Sequence, residues 1–415
     1  MFLSKVPILS LLLLLPPGLA DIVLHDQCWH EHVLRSVNIF SSHDRHIEYA
    51  AFVQLSISSQ EKETHAPWSY PPTCTDILPS LNDRLCVYTS TTFSNGRGIS
   101  LFTTPSLATQ FASLPGFADP SALAKQHVNK FTNTWRATSI PNKGIGMLAT
   151  KPLQFKDRVT SYTPAFLAYL EGDLSTMERE KWWRIAIEQL PDNIKNDFLS
   201  LTYVFGDERV RVQDIVKANT FQVEVGGVNH LAVFPETSRL NHACNPNAQY
   251  VIDTDLLSHT VHVTRPIAEG EEITIAYTSP LDLTPQRQAH LQSGFHFTCT
   301  CPRCTSSTTD PTLARIQTLQ SHLNDWSATS LGSPALAEEL LQLHRDEGLE
   351  GFMDVAYGFA ALAYSAVGDE ARAVEFAERA REALLMKDGR WSGNLRIWEE
   401  MVGDVGGHWS WRRRL

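Results

Sequence analysis

Four of the seven cysteines fall in the second half of the chain, and three of them, Cys299, Cys301 and Cys304, are packed into six positions. This cluster constrains the fold more than any other feature. A C-x-C-x2-C run supplies three thiolates, whereas a closed structural zinc site takes four nitrogen or sulfur ligands in a tetrahedron. Cys244 is the only other cysteine in that half, so it is the natural fourth ligand. A metal shared by these four would clamp residues 299–304 onto a loop 55 residues upstream. Zinc bound in this way supplies folding free energy on the order of 10 kcal/mol. The alternative is two disulfides, or one disulfide and free thiols, although Cys299 and Cys301 are too close for an easy bridge. The other three cysteines, Cys28, Cys74 and Cys86, precede residue 90, and their pairing is left open, with one over if two pair.

The cysteines sit inside a longer pattern. Arg239-Leu240-Asn241-His242-Ala243-Cys244-Asn245-Pro246-Asn247 is followed by Gly270-Glu271-Glu272-Ile273-Thr274-Ile275-Ala276-Tyr277, and then by Phe297-Thr298-Cys299-Thr300-Cys301-Pro302-Arg303-Cys304. In this order the three segments resemble the SET lysine methyltransferases, whose motifs read N-H-S/A-C-x-P-N, G-E-E with an alternating strand ending in tyrosine, and a post-SET C-x-C-x2-C. Gly144-Ile145-Gly146 stands where that family has a G-x-G strand-turn. Ala218-Asn219-Thr220-Phe221 is similar to the segment that follows the insertion in the SMYD branch. The resemblance covers roughly residues 131–305. A lone G-x-G means little, but four motifs in the right order are specific.

The resemblance implies an α+β chain with a β-rich SET core of small curved sheets, in which the Asn241 segment threads beneath an earlier loop as a pseudoknot. It implies S-adenosylmethionine as methyl donor and a protein partner with an accessible lysine. Lys143, Gly144 and Gly146 would touch the methionine end of the donor. Asn219 and Asn241 would contact its methionine and ribose parts, the His242 backbone its adenine, and Phe297 would stack on that ring. Tyr277 would be the catalytic residue, orienting the methyl group. Cys244, Cys299, Cys301 and Cys304 would bind zinc. Two departures stand out. Ala243 replaces the commoner serine, and the cysteines of a MYND finger are missing. A Cys244 nucleophile activated by His242 is rejected, because the glycines of a nucleophile elbow are lacking around it.

Outside the motifs, Cys86–Phe102 reads as a hairpin turning at Ser94–Gly98, and Thr134–Thr150 as a second one. Residues 60–82 are rich in Pro, Ser and Thr and read as loop. Residues 175–200 carry apolar residues at helical spacing, so a helical insertion is expected over about 172–218 within a SET region spanning 131–278. The zinc segment follows over 279–305. Residues 306–415 change to helical periodicity, and the pair of helices around Gly368 is similar to a tetratricopeptide hairpin. Residues 21–130 form an N-terminal region that carries the first hairpin.

The first twenty residues read as a secretory signal: Lys5, an apolar run over Val6–Leu15, Pro16-Pro17, then Gly18-Leu19-Ala20. The run is shorter than the roughly 20 residues that span a bilayer. A buried first helix or an uncut anchor is the alternative, as are nucleus or cytosol for location. No later segment reads as a membrane span. With Lys+Arg 35 against Asp+Glu 46, the net charge of −11 argues against direct nucleic-acid binding. The tail Arg412-Arg413-Arg414 reads as a solvated end. A second function class competes with the enzyme: a zinc-stabilised SET-fold binding module of the secretory pathway, without turnover.

Overall fold

The computed structural model describes residues 65–415. The expected signal over 1–20 and Cys28 lie outside the described residues. The core is built from three small sheets. The largest has six strands in the order β1-β2-β3-β7-β9-β8, namely β1 (Thr73–Cys74), β2 (Cys86–Ser90), β3 (Ile99–Thr103), β7 (Phe166–Tyr169), β9 (Val228–Val233) and β8 (Thr220–Val225). A four-stranded sheet runs β10-β13-β5-β4, from Asn241–His242, Glu272–Ile275, Gly144–Ala149 and Trp135–Ile140. The third joins β11 (Ala248–Asp253), β12 (Ser258–Val263) and β6 (Arg158–Tyr162).

Side chains alternate between the faces of a strand, and the largest sheet is apolar on both. Cys86, Tyr88, Leu101, Leu167 and Ala232 point into the central core, which the other two sheets complete with Val159, Met147, Val261 and Ile273. Val87, Phe102, Phe166, Ala168, Leu231 and Val233 point the other way. The inserted helices cover this second face with Trp183, Ile187, Ile194, Phe198, Ile215 and Val216. Numbering helices of eight residues or more, α1 is Pro105–Ser113 and the insertion is α2 (Thr176–Glu188), α3 (Asp192–Leu199) and α4 (Arg211–Asn219). The start of α2 is set by Ser175, whose hydroxyl accepts from the Glu178 N–H while Glu178 reaches back to the Ser175 N–H, a capping box. Pro191 separates α2 from α3, so residues 175–200 are two helices rather than one.

The β2–β3 hairpin has the register Ser90↔Ile99, and its connection carries Ser94, Asn95 and Gly96 at positive φ. Cys74 and Cys86 face each other across β1 and β2 and form a disulfide. This resolves the pairing of those two cysteines that the sequence leaves open.

After α5 (Thr284–Phe295) the chain runs through the cysteine segment into helices α6 (Thr309–Asn324), α7 (Pro334–Asp346), α8 (Asp354–Ala366), α9 (Glu370–Lys387) and α10 (Leu395–Gly403). They enclose their own core, in which Leu313, Ile316, Leu319 and Leu323 form one stripe and alanines let α8 and α9 approach closely. In the arginine tail Arg412 and Arg413 are exposed, as a solvated end would be, but Arg414 is docked. Arg414 donates to the carbonyls of Leu323 and Asp325 (3.0 and 2.6 Å) and lies over the Trp326 ring at 4.1 Å. Carbonyls left over at the C-terminus of α6 give the guanidinium its partners. Among the described residues no helix is long and apolar enough to cross a membrane.

Candidate functional site

The site is built around a crossing of chain segments. Strand β10 enters the four-stranded sheet parallel to β13, with Asn241 opposite Thr274 and His242 opposite Ile275. Asn247, 1% exposed, holds the loop after β10: its Oδ1 accepts the Thr274 N–H at 2.8 Å and its Nδ2 donates to Glu272 O at 2.8 Å. The Ala243 N–H donates to Ile275 O at 3.0 Å. The loop from Asn241 to Asn247 is thus tied to β13 at both ends.

Beside this crossing lies a cavity of about 750 Å³, within the range of small-molecule sites. Lys143, Asn219, Asn241, His242, Tyr277 and Phe297 line it, together with Cys299 and Cys301. These side chains come from the turn before β5, from β10, the end of α4, the second residue after β13 and the segment following α5. Gly144 and Gly146 flank the wall, which at this strand is formed by Lys143 and Ile145. The role of Gly146 is spatial. A Cβ there would stand 2.6 Å from Asn241 Nδ2 and 3.0 Å from Glu272 Oε1, closer than atoms approach.

Glu272 is a site residue that the motif quoted but assigned no task. Its Oε1 accepts from Asn241 Nδ2 at 2.9 Å, and its Oε2 pairs with Lys143 Nζ at 2.7 Å. One carboxylate fixes two cavity side chains. Asn219 spends both amide hydrogens on carbonyls, of Thr202 (2.7 Å) and Ile215 (2.8 Å). The loop it touches is shaped by Asp214, wholly buried, whose carboxylate accepts the N–H groups of Val204, Phe205 and Gly206 at 2.8, 2.7 and 3.0 Å. Thr202 and Val204 of that loop line the cavity. Nothing in the spacing of Asp214 signals this; only the fold does.

The Tyr277 hydroxyl donates to Leu240 O at 2.5 Å, and burial pushes its phenol up from the ordinary value. Its ring stands 4.8 Å from that of Phe295, a second aromatic that sequence reasoning missed, and Phe297 is 6.0 Å from the His242 ring. His242 Nδ1 accepts the Tyr277 N–H at 3.0 Å, so Nε2 carries the ring proton and points it at Cys244 Sγ, 3.2 Å away. The imidazole is a spacer between the tyrosine and the cysteine cluster.

Four sulfurs, of Cys244, Cys299, Cys301 and Cys304, lie within 4.8 Å of one another and could hold a metal ion. A tetrahedron with Zn–S of about 2.3 Å has sulfurs about 3.8 Å apart. Cys244 Sγ stands 3.5 Å from Cys304 Sγ and 4.0 Å from Cys299 Sγ, with no disulfide among the four. The surroundings suit a negatively charged cluster. Arg287, 0% exposed, puts its guanidinium 3.7 Å from Cys304 Sγ and also donates to Asp282 O and Thr284 Oγ1. Gln288 clips Cys299 in place through both its N–H (2.9 Å) and its carbonyl (2.7 Å). Arg303 Nη1 donates to Cys244 O at 2.5 Å.

A core of three small sheets, a β10–β13 crossing beside a cavity of small-molecule size and a four-sulfur cluster at its wall frame the part of the chain that carries the SET likeness. Residues 144–278 match the SET domain family model. Among curated relatives, the chain is 36% identical over 97 residues to a SET and MYND domain-containing protein of Dictyostelium discoideum, covering 23% of this chain and 22% of that protein. It is 30% identical over 182 residues to histone-lysine N-methyltransferase set5 of Schizosaccharomyces pombe, 42% of this chain and 51% of the other. It is 32% identical over 199 residues to N-lysine methyltransferase SMYD2 of Bos taurus, 46% and 43%. The chain therefore spans at most about half the length of these relatives.

Proposed function

We infer that this protein transfers a methyl group from S-adenosylmethionine to a lysine side chain of another protein, with one structural zinc held by Cys244, Cys299, Cys301 and Cys304. The observation that carries the reading is the convergence on one cavity of the Tyr277 hydroxyl, the Phe297 ring and an Asn241 side chain fixed by Glu272. When bound, the donor supplies a methyl group activated on a sulfonium. The protein's task is to bind and align. Asn219, Asn241 and the backbone from Lys143 to Gly146 hold the methionine and ribose parts, and the His242 backbone and Phe297 hold the adenine.

Tyr277 works as an orienting group, not as a base. Its raised pKa keeps the phenol protonated at neutral pH, and its proton is committed to Leu240 O. The lone pairs of the hydroxyl and of that carbonyl are oxygen acceptors for weak C–H···O contacts to a methyl group. A free lysine, with a pKa near 10.4, is almost wholly protonated at neutral pH. The rings of Tyr277, Phe295 and Phe297 offer an ammonium no hydration, so they favour the neutral amine that attacks. Alignment then supplies most of the rate. The four thiolates and Arg287 lock the segment carrying Phe297 over the cavity. The silent-module alternative draws no support from the cavity, which keeps Tyr277, Asn241 and a donor-sized volume.

The test is mass spectrometry of lysine-containing proteins incubated with isotope-labelled S-adenosylmethionine. Wild type labels lysine, while Tyr277→Phe and Asn241→Ala label at least tenfold less. Equal labelling by all three would refute the site assignment. Failure of folded, zinc-loaded wild type to bind the donor in calorimetry would refute the enzyme.

A further inference from the structure

On the far side of the segment that forms the donor cavity lies a second, smaller cleft of about 260 Å³. This is below the roughly 300–1,000 Å³ of sites for drug-sized ligands, so its occupant is a single side chain rather than a nucleotide. Three aromatic residues, Phe131, Trp135 and Tyr162, and two carboxylates, Asp197 and Glu236, line it, with Arg239. Phe131 and Trp135 meet nearly at right angles, their ring centroids 5.3 Å apart and their planes at 81°. Phe131 is left 54% exposed at the mouth of the cleft. The Trp135 indole N–H is buried with no hydrogen-bond partner, although the residue is only 9% exposed.

The charges divide unequally. Glu236 is occupied by Arg97, which donates to both its oxygens at 2.6 and 2.8 Å. The side chain of Asp197 has no such partner, and burial and then the Glu236 charge raise its pKa. Arg239 turns its guanidinium to Ser200 Oγ at 2.7 Å. With Arg239 present the cleft is near neutral overall, so it offers little to a compact, strongly hydrated ammonium. Aromatic faces favour a larger, weakly hydrated cation, whose desolvation is cheap and whose contact with the rings is wide.

We propose that the cleft between Phe131, Trp135, Tyr162 and Asp197 binds a methylated lysine side chain of a peptide, its methylammonium against the rings and beside the Asp197 carboxylate. The cleft and the donor cavity share two stretches of chain. Glu236 and Arg239 line the cleft while Ser238 and Asn241 line the cavity, and Asp197 lies on one side with Thr202 on the other. From Trp135 to Ile140 the β4 strand covers about 17 Å at about 3.4 Å per residue, and the turn that follows it, Pro141 to Lys143, lines the donor cavity. The proposal goes beyond methyl transfer, and binding at the cleft stands whether or not transfer occurs.

The experiment is titration of the full-length protein with a short peptide carrying trimethyllysine and with the same peptide unmodified, by calorimetry without methyl donor. The trimethylated peptide is expected to bind at least fivefold more tightly. Phe131→Ala, a change at an exposed ring, should weaken it at least tenfold while leaving S-adenosylmethionine affinity unaltered. Asp197→Asn should weaken it less, and Tyr277→Phe should leave it as it is. Equal affinity for the two peptides, no binding of either, or loss with Tyr277→Phe but not with Phe131→Ala would each overturn the assignment, the last by moving the ligand to the cavity beside Tyr277.

Discussion

Gly146 shows how much one hydrogen atom can hold. Its missing Cβ leaves the space in which the Asn241 amide reaches Glu272. Gly146→Ala should push that amide aside and weaken S-adenosylmethionine binding about tenfold, which corresponds to about 1.4 kcal/mol, with little loss of melting temperature. Calorimetric titration checks this, and unchanged affinity would mean that Asn241 does not touch the donor. His259 acts through pH. It is enclosed by Phe221, Tyr250 and Phe234, with ring centroids 4.3, 4.6 and 5.1 Å away, and burial lowers its pKa from 6.5 to about 3. Burial lowers that of His230 to about 4. The unfolded chain protonates these imidazoles near pH 6.5, and the folded chain does not. Their contribution is therefore fully present above pH 6.5 and declines below it, by about 1.4 kcal/mol per pH unit for each group, until the folded pKa is reached. His259→Leu should lose about 2 kcal/mol less than wild type between pH 7 and pH 5. Urea unfolding at the two pH values measures the difference, and parallel losses would contradict it.

At the scale of elements, the segment after α5 has little buried apolar surface of its own: it contributes Cys299 to a small cluster with Leu291 of α5 and Cys244, against which Phe297, Cys301 and Cys304 pack half-buried. Its position rests on the four sulfurs, the Gln288 clip and Arg303. Zinc analysis of purified protein should find one ion per chain. Cys301→Ser should lose it, lower the melting temperature and abolish donor binding, because Phe297 is then released from the cavity wall. Retention of donor affinity after complete zinc removal would show that the clamp is not what builds the pocket. Arg287 reaches the cluster from α5, and its buried charge is best compensated when the thiolates are ionised around a metal.

At the scale of the whole molecule, the helical C-terminal region is docked on the core rather than tethered to it. Leu349 and Phe352 bury Ala276 from behind, the residue next to Tyr277. Arg303 and Glu347 form an ion pair at 2.7 Å with side chains only 5% and 9% exposed, and Lys156–Glu382 and Arg390–Asp255 add two exposed pairs. Exposed pairs contribute little. A buried pair broken on one side leaves an uncompensated charge that costs about 3–5 kcal/mol. Glu347→Ala should therefore destabilise the protein by that order, whereas Glu382→Ala should change stability by less than about 1 kcal/mol. Chemical denaturation of the two variants separates them, and equal effects would mean that burial does not set the strength of this interface.

The sequence by itself determined what local pattern and ligand count can carry. The Cys299–Cys304 run required a fourth thiolate and Cys244 was the one within its half; helical spacing marked residues 175–200 and the C-terminal region; and the Asn241–Asn247 and Gly270–Tyr277 motifs named Asn241, His242 and Tyr277 of the cavity wall. It did not reveal that Glu272 joins Lys143 to Asn241, that Asp214 shapes the loop over the cavity, or that Phe295 flanks Tyr277. Nor could it pair Cys74 with Cys86 or show that Arg414 is tucked against Trp326. Those facts depend on residues far apart in the chain meeting at a set distance and burial, and neither is encoded in the spacing of any one segment. Period and motif record which face a residue presents; only the packed tertiary structure decides what it faces.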